Sequence, residues 1–294
     1  MADEGTPRVP IAASGGSMAS APDPAGPRPT AWAAYRAVLG SRVRARASYR
    51  IPFITDSLGA GLVGIVEFVE TFLVFSATGA IGGFDVHAIL LVFALAEIGF
   101  CLGDLAFGHL DSLPEYLRAG TLDIFYLRPQ PLLAQLVTSD ISLRRLARAA
   151  VGVGILGVAL WTNAIMWTIP RAAMLVLALV CSPLIYAALF VCAAGVQFFT
   201  VNAPEMPNAF TYGGRYAAVT PASVWPGPLR IFFGFVAPVA FTGYLPALVI
   251  LDLPGVGVLA QPLAWGLPLA VVSVWGIALL LWRTGVRHYQ GGGG

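Results

Sequence analysis

Four carboxylates, Glu67, Glu70, Glu97 and Asp104, stand inside stretches that are otherwise almost wholly apolar. An ionised carboxylate at the centre of a bilayer costs roughly 2.5–3.5 kcal/mol on the insertion scale, so each of the four has to face protein, water or a partner rather than lipid. Glu67 and Glu70 are three residues apart and share a helix face, and Asp56, eleven residues earlier, falls on the same face. Two chemistries fit an acidic stripe of this kind. It can pass protons or line a polar substrate route, or its members can be protonated or hydrogen-bonded to neighbouring helices and serve packing.

Other chemistry is excluded more sharply. The chain contains no lysine, so it has no phosphate-binding loop of the type that reaches nucleotide phosphates with a GK[ST] lysine and no lysine Schiff base. Neither HExxH nor GxSxG occurs, and Cys101, Cys181 and Cys192 have no metal-ligand spacing. His87, His109 and His288 lie in or near the ends of apolar runs, where a histidine is commonly just solvated. The expectation is a non-catalytic chain with no cofactor of its own, in which any use of ATP comes from another polypeptide. A skew to Arg, Ala, Gly and Pro of the kind a GC-rich genome produces is a sufficient reason for the missing lysine.

The elements that must position the four acids are six apolar runs, Phe53 to Thr78, Val86 to Gly108, Ala149 to Thr168, Ala172 to Phe199, Ile231 to Leu251 and Leu263 to Trp282. Each is at or above the ~20 residues that cross a hydrocarbon core. With 57% hydrophobic and 11% charged residues and a mean hydropathy of +0.78, the chain lies far from the soluble norm of about 25% charged residues. If every run is a crossing, sixteen of the seventeen arginines fall on one side and only Arg171 on the other. Cationic loops are retained in the cytoplasm, so both termini are expected there. The fold class predicted is all-α, a polytopic membrane protein with six transmembrane helices. Gly99 and Gly103 form a GxxxG pair that can bring another helix close. Trp161, Trp167, Trp265, Trp275 and Trp282 are placed as interfacial anchors would be.

Residues 1–30 carry six prolines among Ala, Gly and Ser and no aromatic residue, which reads as a disordered cytoplasmic tail with no cleaved signal peptide. Over residues 31–50, Trp32, Tyr35, Leu39 and Val43 share one helical face with arginines around it, an interfacial amphipathic helix on the inner leaflet. Residues 51–290 then form the six-span domain. Its longest polar interruption, about 109–148, should fold as a cytoplasmic platform: Ser112 and Glu115 have capping-box spacing, Gly120 can end the short helix they begin, Arg128-Pro129-Gln130-Pro131 forces an extended turn, and a second helix runs from Leu132 into Arg148. Spans three and four, joined around Pro170 and Arg171, are expected to make a tight antiparallel hairpin. Pro238, Pro246 and the Gly/Pro-rich residues 252–262 point to broken or re-entrant helices at the outer surface. Nucleic-acid binding is not implied by this charge pattern.

Gly120-Thr121-Leu122-Asp123 followed by Leu127-Arg128-Pro129 resembles the G-x-L-D-x-x-L-x-R-P signature of short six-span permeases in the type-2 ATP-binding-cassette exporter superfamily. Pro238-Val239-Ala240-Phe241 with Tyr244, Pro246 and Ala247 resembles their P-V-A-F-x-x-Y-P-A block, and Trp282, Gly285 and Tyr289 fit its carboxy-terminal pattern, whereas Gln290-Gly291-Gly292 departs from it. The resemblance covers roughly residues 31–290. It implies a permease subunit of an ATP-driven exporter in a bacterial inner (cytoplasmic) membrane, surrounded by lipid, paired with a second permease, identical or homologous, and with two ABC ATP-binding subunits that hold ATP and Mg. It also implies that Glu115, Arg118, Gly120, Asp123, Arg128 and Pro129 couple to the ATPase, with Glu67, Glu70, Glu97 and Asp104 the intramembrane polar residues of a translocation route. A proton-coupled secondary transporter using those carboxylates is the alternative, and an integral-membrane enzyme or a scaffold a third class.

Overall fold

The computed structural model describes residues 40, 50–78, 83–140, 144–200 and 205–290. The expected tail over 1–30 and nearly all of the expected interfacial helix over 31–50 lie outside these. The described chain is helical almost throughout: α1 (Arg50–Thr78), α2 (Val86–Phe107), α3 (Leu113–Arg118), α4 (Asp123–Tyr126), α5 (Leu132–Ser139), α6 (Arg144–Thr162), α7 (Ile169–Gln197), α8 (Glu205–Ala218), α9 (Gly227–Ile231), α10 (Tyr244–Leu251) and α11 (Leu267–His288). A two-stranded hairpin, β1 (Gly255–Val256) against β2 (Leu259–Ala260), precedes α11. Local signals set the helix starts. The Asp85 carboxylate accepts from Ala88 N at 2.8 Å to cap α2, and prolines occupy the first turns of α7 and α11, where the missing amide hydrogen costs nothing.

Five segments are long and apolar enough to cross a membrane: Ile54–Ala77, Val86–Arg118, Arg145–Thr162, Ile169–Gln197 and Gln261–His288. The centre of the bundle is α2, apolar all round and buried on every side from Ala88 to Phe100, as a helix surrounded by other helices must be. It packs between α6 and α7, with α1 outside α6 and α11 outside α7. Gly99 and Gly103 make the α2–α7 approach possible. A Cβ on Gly99 would stand 2.6 Å from Ser182 Cβ, and one on Gly103 2.7 Å from Tyr186 Cβ, so the GxxxG spacing does seat a helix. Residues of α2 and α7 meet in rising order, and Gly195 and Phe198 of α7 likewise meet Leu281 and Gly285 of α11. These three helices are therefore parallel. Asn163 Nδ2 donates to His87 O at one end of α6 and Arg145 pairs with Asp104 at the other, so α6 runs opposite to α2. Arg50 of α1 and His288 of α11 consequently lie at the same end of the bundle, the end marked by Arg145.

Three expectations are corrected. The consecutive helices α6 and α7 do not form a hairpin: among the described residues they share almost no contact, because α2 stands between them. Ser112 makes no side-chain cap, because a 3-10 turn over Gly108–Ser112 carries α2 straight into α3. The second platform helix stops at Ser139, with Asp140 extended, and does not run on into Arg148. The span over Ile231–Leu251 is broken, as its prolines predict. Gly227–Val236 and Val239–Leu251 are bent 77° apart at Pro238, which lacks the amide hydrogen a continuous helix needs.

Much of the return from α7 is made instead by α8, a segment the sequence places in a loop. Along α2, Tyr212 of α8 stands at Asp111, Arg215 at Glu97, and Ala218 O beside Gly243 at the level of Val92. The bent pair packs against this rising chain, and Ser182 Oγ donates to Thr242 O at 3.0 Å to tie it to α7. At the far end Arg171 pairs with Asp252 at 2.9 Å.

Candidate functional site

Glu97 sits at the middle of α2 and is 2% exposed. Its carboxylate receives Arg215 Nε at 3.0 Å and Nη2 at 2.8 Å from α8, and Arg148 Nη2 of α6 lies 3.4 Å from its other oxygen. Glu67 of α1 pairs with the same two arginines. Two carboxylates and two guanidiniums from four helices thus close into one neutral cluster. The planar guanidinium fork suits this sharing, and the Arg215 guanidinium also lies 5.0 Å from the Phe100 ring centroid. Cys101 Sγ donates to Glu97 Oε1 at 3.3 Å. Toward the Arg145 end, Arg145 Nε meets Asp104 Oδ2 at 2.7 Å while its Nη1 donates to Asp104 O, and Tyr212 Oη donates to Asp111 Oδ2 at 2.6 Å.

Three of the four predicted intramembrane acids, Glu67, Glu97 and Asp104, are therefore ion-paired, the first two in one cluster. Glu70 is not drawn in. It is exposed on α1 and lines a cleft of about 210 Å³ with Thr71, Phe75, Phe93, Arg215 and Tyr216. On the Arg145 side of the cluster a second cleft, about 430 Å³, is lined by Asp56, Gly59, Asp104, Arg145, Arg148 and Tyr212 among others. The charged layer thus separates two openings that both run along α1.

The arginines Arg145, Arg148 and Arg215 are what sequence reasoning missed. By sequence position alone they are loop charges, yet Arg215 is 4% exposed. The signal available was numerical, since buried carboxylates require partners and arginine is this chain's only permanent cation.

The second group of predicted residues gathers at the Arg145 end. Gly120 takes φ +65°, a conformation that favours glycine, and there the chain turns from α3 toward α4. Asp123 opens α4, and its Oδ1 accepts from Tyr289 Oη at 2.9 Å. Tyr289 also stacks on Tyr126 at 6.1 Å. The G-T-L-D block and the carboxy-terminal block, far apart in sequence, are thereby in contact. Burial together with the Asp123 carboxylate pushes the Tyr289 phenol up to about 12. Within the same carboxy-terminal block Gly285 lets α11 close on α7, since a Cβ there would come within 2.6 Å of Gly195 O. Trp282 is buried against Phe198 and so is no interfacial anchor, unlike Trp161, which is 89% exposed. Arg118 Nε donates to Pro114 O, while Glu115, Arg128 and Pro129 are exposed. Arg128 and Pro129 line a cleft of about 370 Å³ with Tyr116, Ile124, Phe125 and Gln135. Gln135 Nε2 donates to Phe125 O and Gln130 O, which pins the proline turn.

A bundle of helices long and apolar enough to cross a membrane, with a buried charge cluster and a folded platform at one end, defines a polytopic membrane protein. The chain belongs to the ABC-2 family: the family model described as ABC-2 family transporter protein matches residues 62–293. It is a non-catalytic permease component of an ABC transporter, a class that works with an ATP-binding subunit. No curated protein and no solved structure matches the chain.

Proposed function

We propose that the chain is the membrane subunit of an exporter in a bacterial inner membrane, paired with a second permease and driven by two ATP-binding subunits that carry ATP and Mg. Both chain ends and the platform face the cytoplasm, the orientation that arginine-rich segments favour. Coupling runs through the surface from Glu115 to Pro129. The observation that carries this reading is the tip of α4, where Leu127 is 84% and Ile124 56% exposed beside the exposed Arg128. An apolar knob next to a cation suits insertion into a partner's groove with an acidic rim. Behind it, Tyr289–Asp123 and the Gln135 hydrogen bonds fix the knob to the bundle, so a push on the tip reaches α11. Export is supported by the resemblance of the three sequence blocks alone.

The pairing of Glu67 and Glu97 with the same two arginines favours a structural role over a proton relay for those two residues, since each is already held by guanidiniums from α6 and α8. Arg128→Glu is expected to abolish substrate-stimulated ATP turnover in the reconstituted complex while membrane insertion stays intact. Normal turnover in that variant refutes the assignment of the coupling surface.

A further inference from the structure

We propose that the cleft between α1 and α8 binds the cationic head of an amphiphile, with Glu70 as its counter-charge. This rests on the reading of the chain as the membrane subunit of an exporter and adds the chemical class of what this cleft takes.

Glu67 and Glu97 are matched by Arg148 and Arg215, and Asp104 by Arg145. Among the described residues Glu70 makes no hydrogen bond or ion pair, and the one arginine lining its cleft, Arg215, is already engaged by two carboxylates. Among the described residues the cleft therefore holds one carboxylate with no cation matched to it. Its depth makes that matter. Glu67 is level with the middle of α2, and Glu70 lies only about 4.5 Å further along α1 at the helical rise, still within the apolar zone, where a bare carboxylate is costly.

Phe75 and Phe93 form an apolar floor, 5% and 2% exposed. Tyr216, whose ring centroid lies 5.5 Å from the Arg215 guanidinium carbon, is 62% exposed and lines the same cleft. Aromatic faces around a carboxylate are the chemistry that recognises an organic ammonium. At about 210 Å³ the cleft is smaller than the 300–1,000 Å³ usual for whole drug-sized ligands, so it holds a head group. Val66, Leu73 and Val74, one turn either side of Glu70 on its own helix face, are 56%, 58% and 55% exposed and offer an apolar track for the remainder of the molecule.

The probe is benzyltrimethylammonium, titrated against the full chain in lipid nanodiscs and followed by saturation-transfer NMR, with benzenesulfonate as the anion of similar size. The cation is expected to bind saturably and the anion not. Glu70→Gln should weaken binding about tenfold or more, and Tyr216→Leu several-fold, about what one cation–π contact supplies. No saturable binding of the cation, equal binding in Glu70→Gln, or equal binding of the anion overturns the proposal. Recovery of the ATP-binding subunit with the tagged chain is scored separately. A chain that holds that subunit yet fails the titration loses this inference and keeps the permease assignment.

Discussion

At the scale of residues, the structure turns an expensive feature into a fastening. Taking a carboxylate or a guanidinium out of water costs several kcal/mol each, and their attraction repays this only when geometry is good and the count of charges balances. Here two of each sign from α1, α2, α6 and α8 satisfy both conditions. Glu97→Gln leaves two guanidiniums facing one carboxylate, and we expect it to destabilise the chain by about 3–5 kcal/mol, read as a large fall in the thermal midpoint in detergent. Adding Arg215→Gln restores the balance and should recover much of the loss. A double variant no better than the single one would sink the ion-pair account. The acids were legible in the sequence because a carboxylate in an apolar run is anomalous. Their partners were not, because an arginine beside the end of a run, like Arg148, or in a loop between runs, like Arg215, is ordinary, and only the three-dimensional course of α6 and α8 brings the two inward.

Among elements, the platform and the last helix act as one piece. The α3 to α5 region was readable as folded because Gly120 and the Pro129–Pro131 turn punctuate it, and the structure places the turn and the break where those residues require them. Its attachment to α11 was not readable, since Asp123 and Tyr289 come together only through the packing of α11 on α7. The Tyr289 phenol, pushed up to about 12 by burial and by Asp123, gives a direct assay of the joint. A folded-state value above the ordinary 10 means that the contact's contribution is full below about pH 10 and is lost as pH rises through about 12. Asp123→Asn should move the Tyr289 absorbance titration back toward 10 in a Tyr126→Phe background. An unchanged titration would mean that burial alone sets it and that Asp123 does not hold the carboxy terminus.

For the whole molecule, the order α1, α6, α2, α7, α11 across the bundle leaves apolar faces on both flanks, with Leu58 70% exposed on α1 and Leu269 69% exposed on α11. Side chains of this kind are at home against lipid or another membrane protein. The six-crossing reading has five of its segments as single helices and the sixth as the bent pair. It missed the nature of the return from α7 because α8 is short, carries Glu205 and Arg215 and falls below any hydropathy signal, while the proline-broken Val239–Leu251 run looks like a span. That exchange carries Arg215 into the bundle and Arg230 to the hairpin end, and leaves Arg145, the platform and both ends of the helical chain together at the other end. The proposed orientation therefore predicts opposite fates for two single cysteines. Val258→Cys, in the exposed hairpin turn at the Arg171–Asp252 end, should react with a membrane-impermeant maleimide on intact cells. Arg128→Cys on the platform should react only after the membrane is opened. Cys101, Cys181 and Cys192 lie buried or half-buried within the bundle and should add little background. Labelling of Arg128→Cys on intact cells, with Val258→Cys protected, would place the platform outside, beyond the reach of any ATP-binding partner, and would remove the coupling role argued for it.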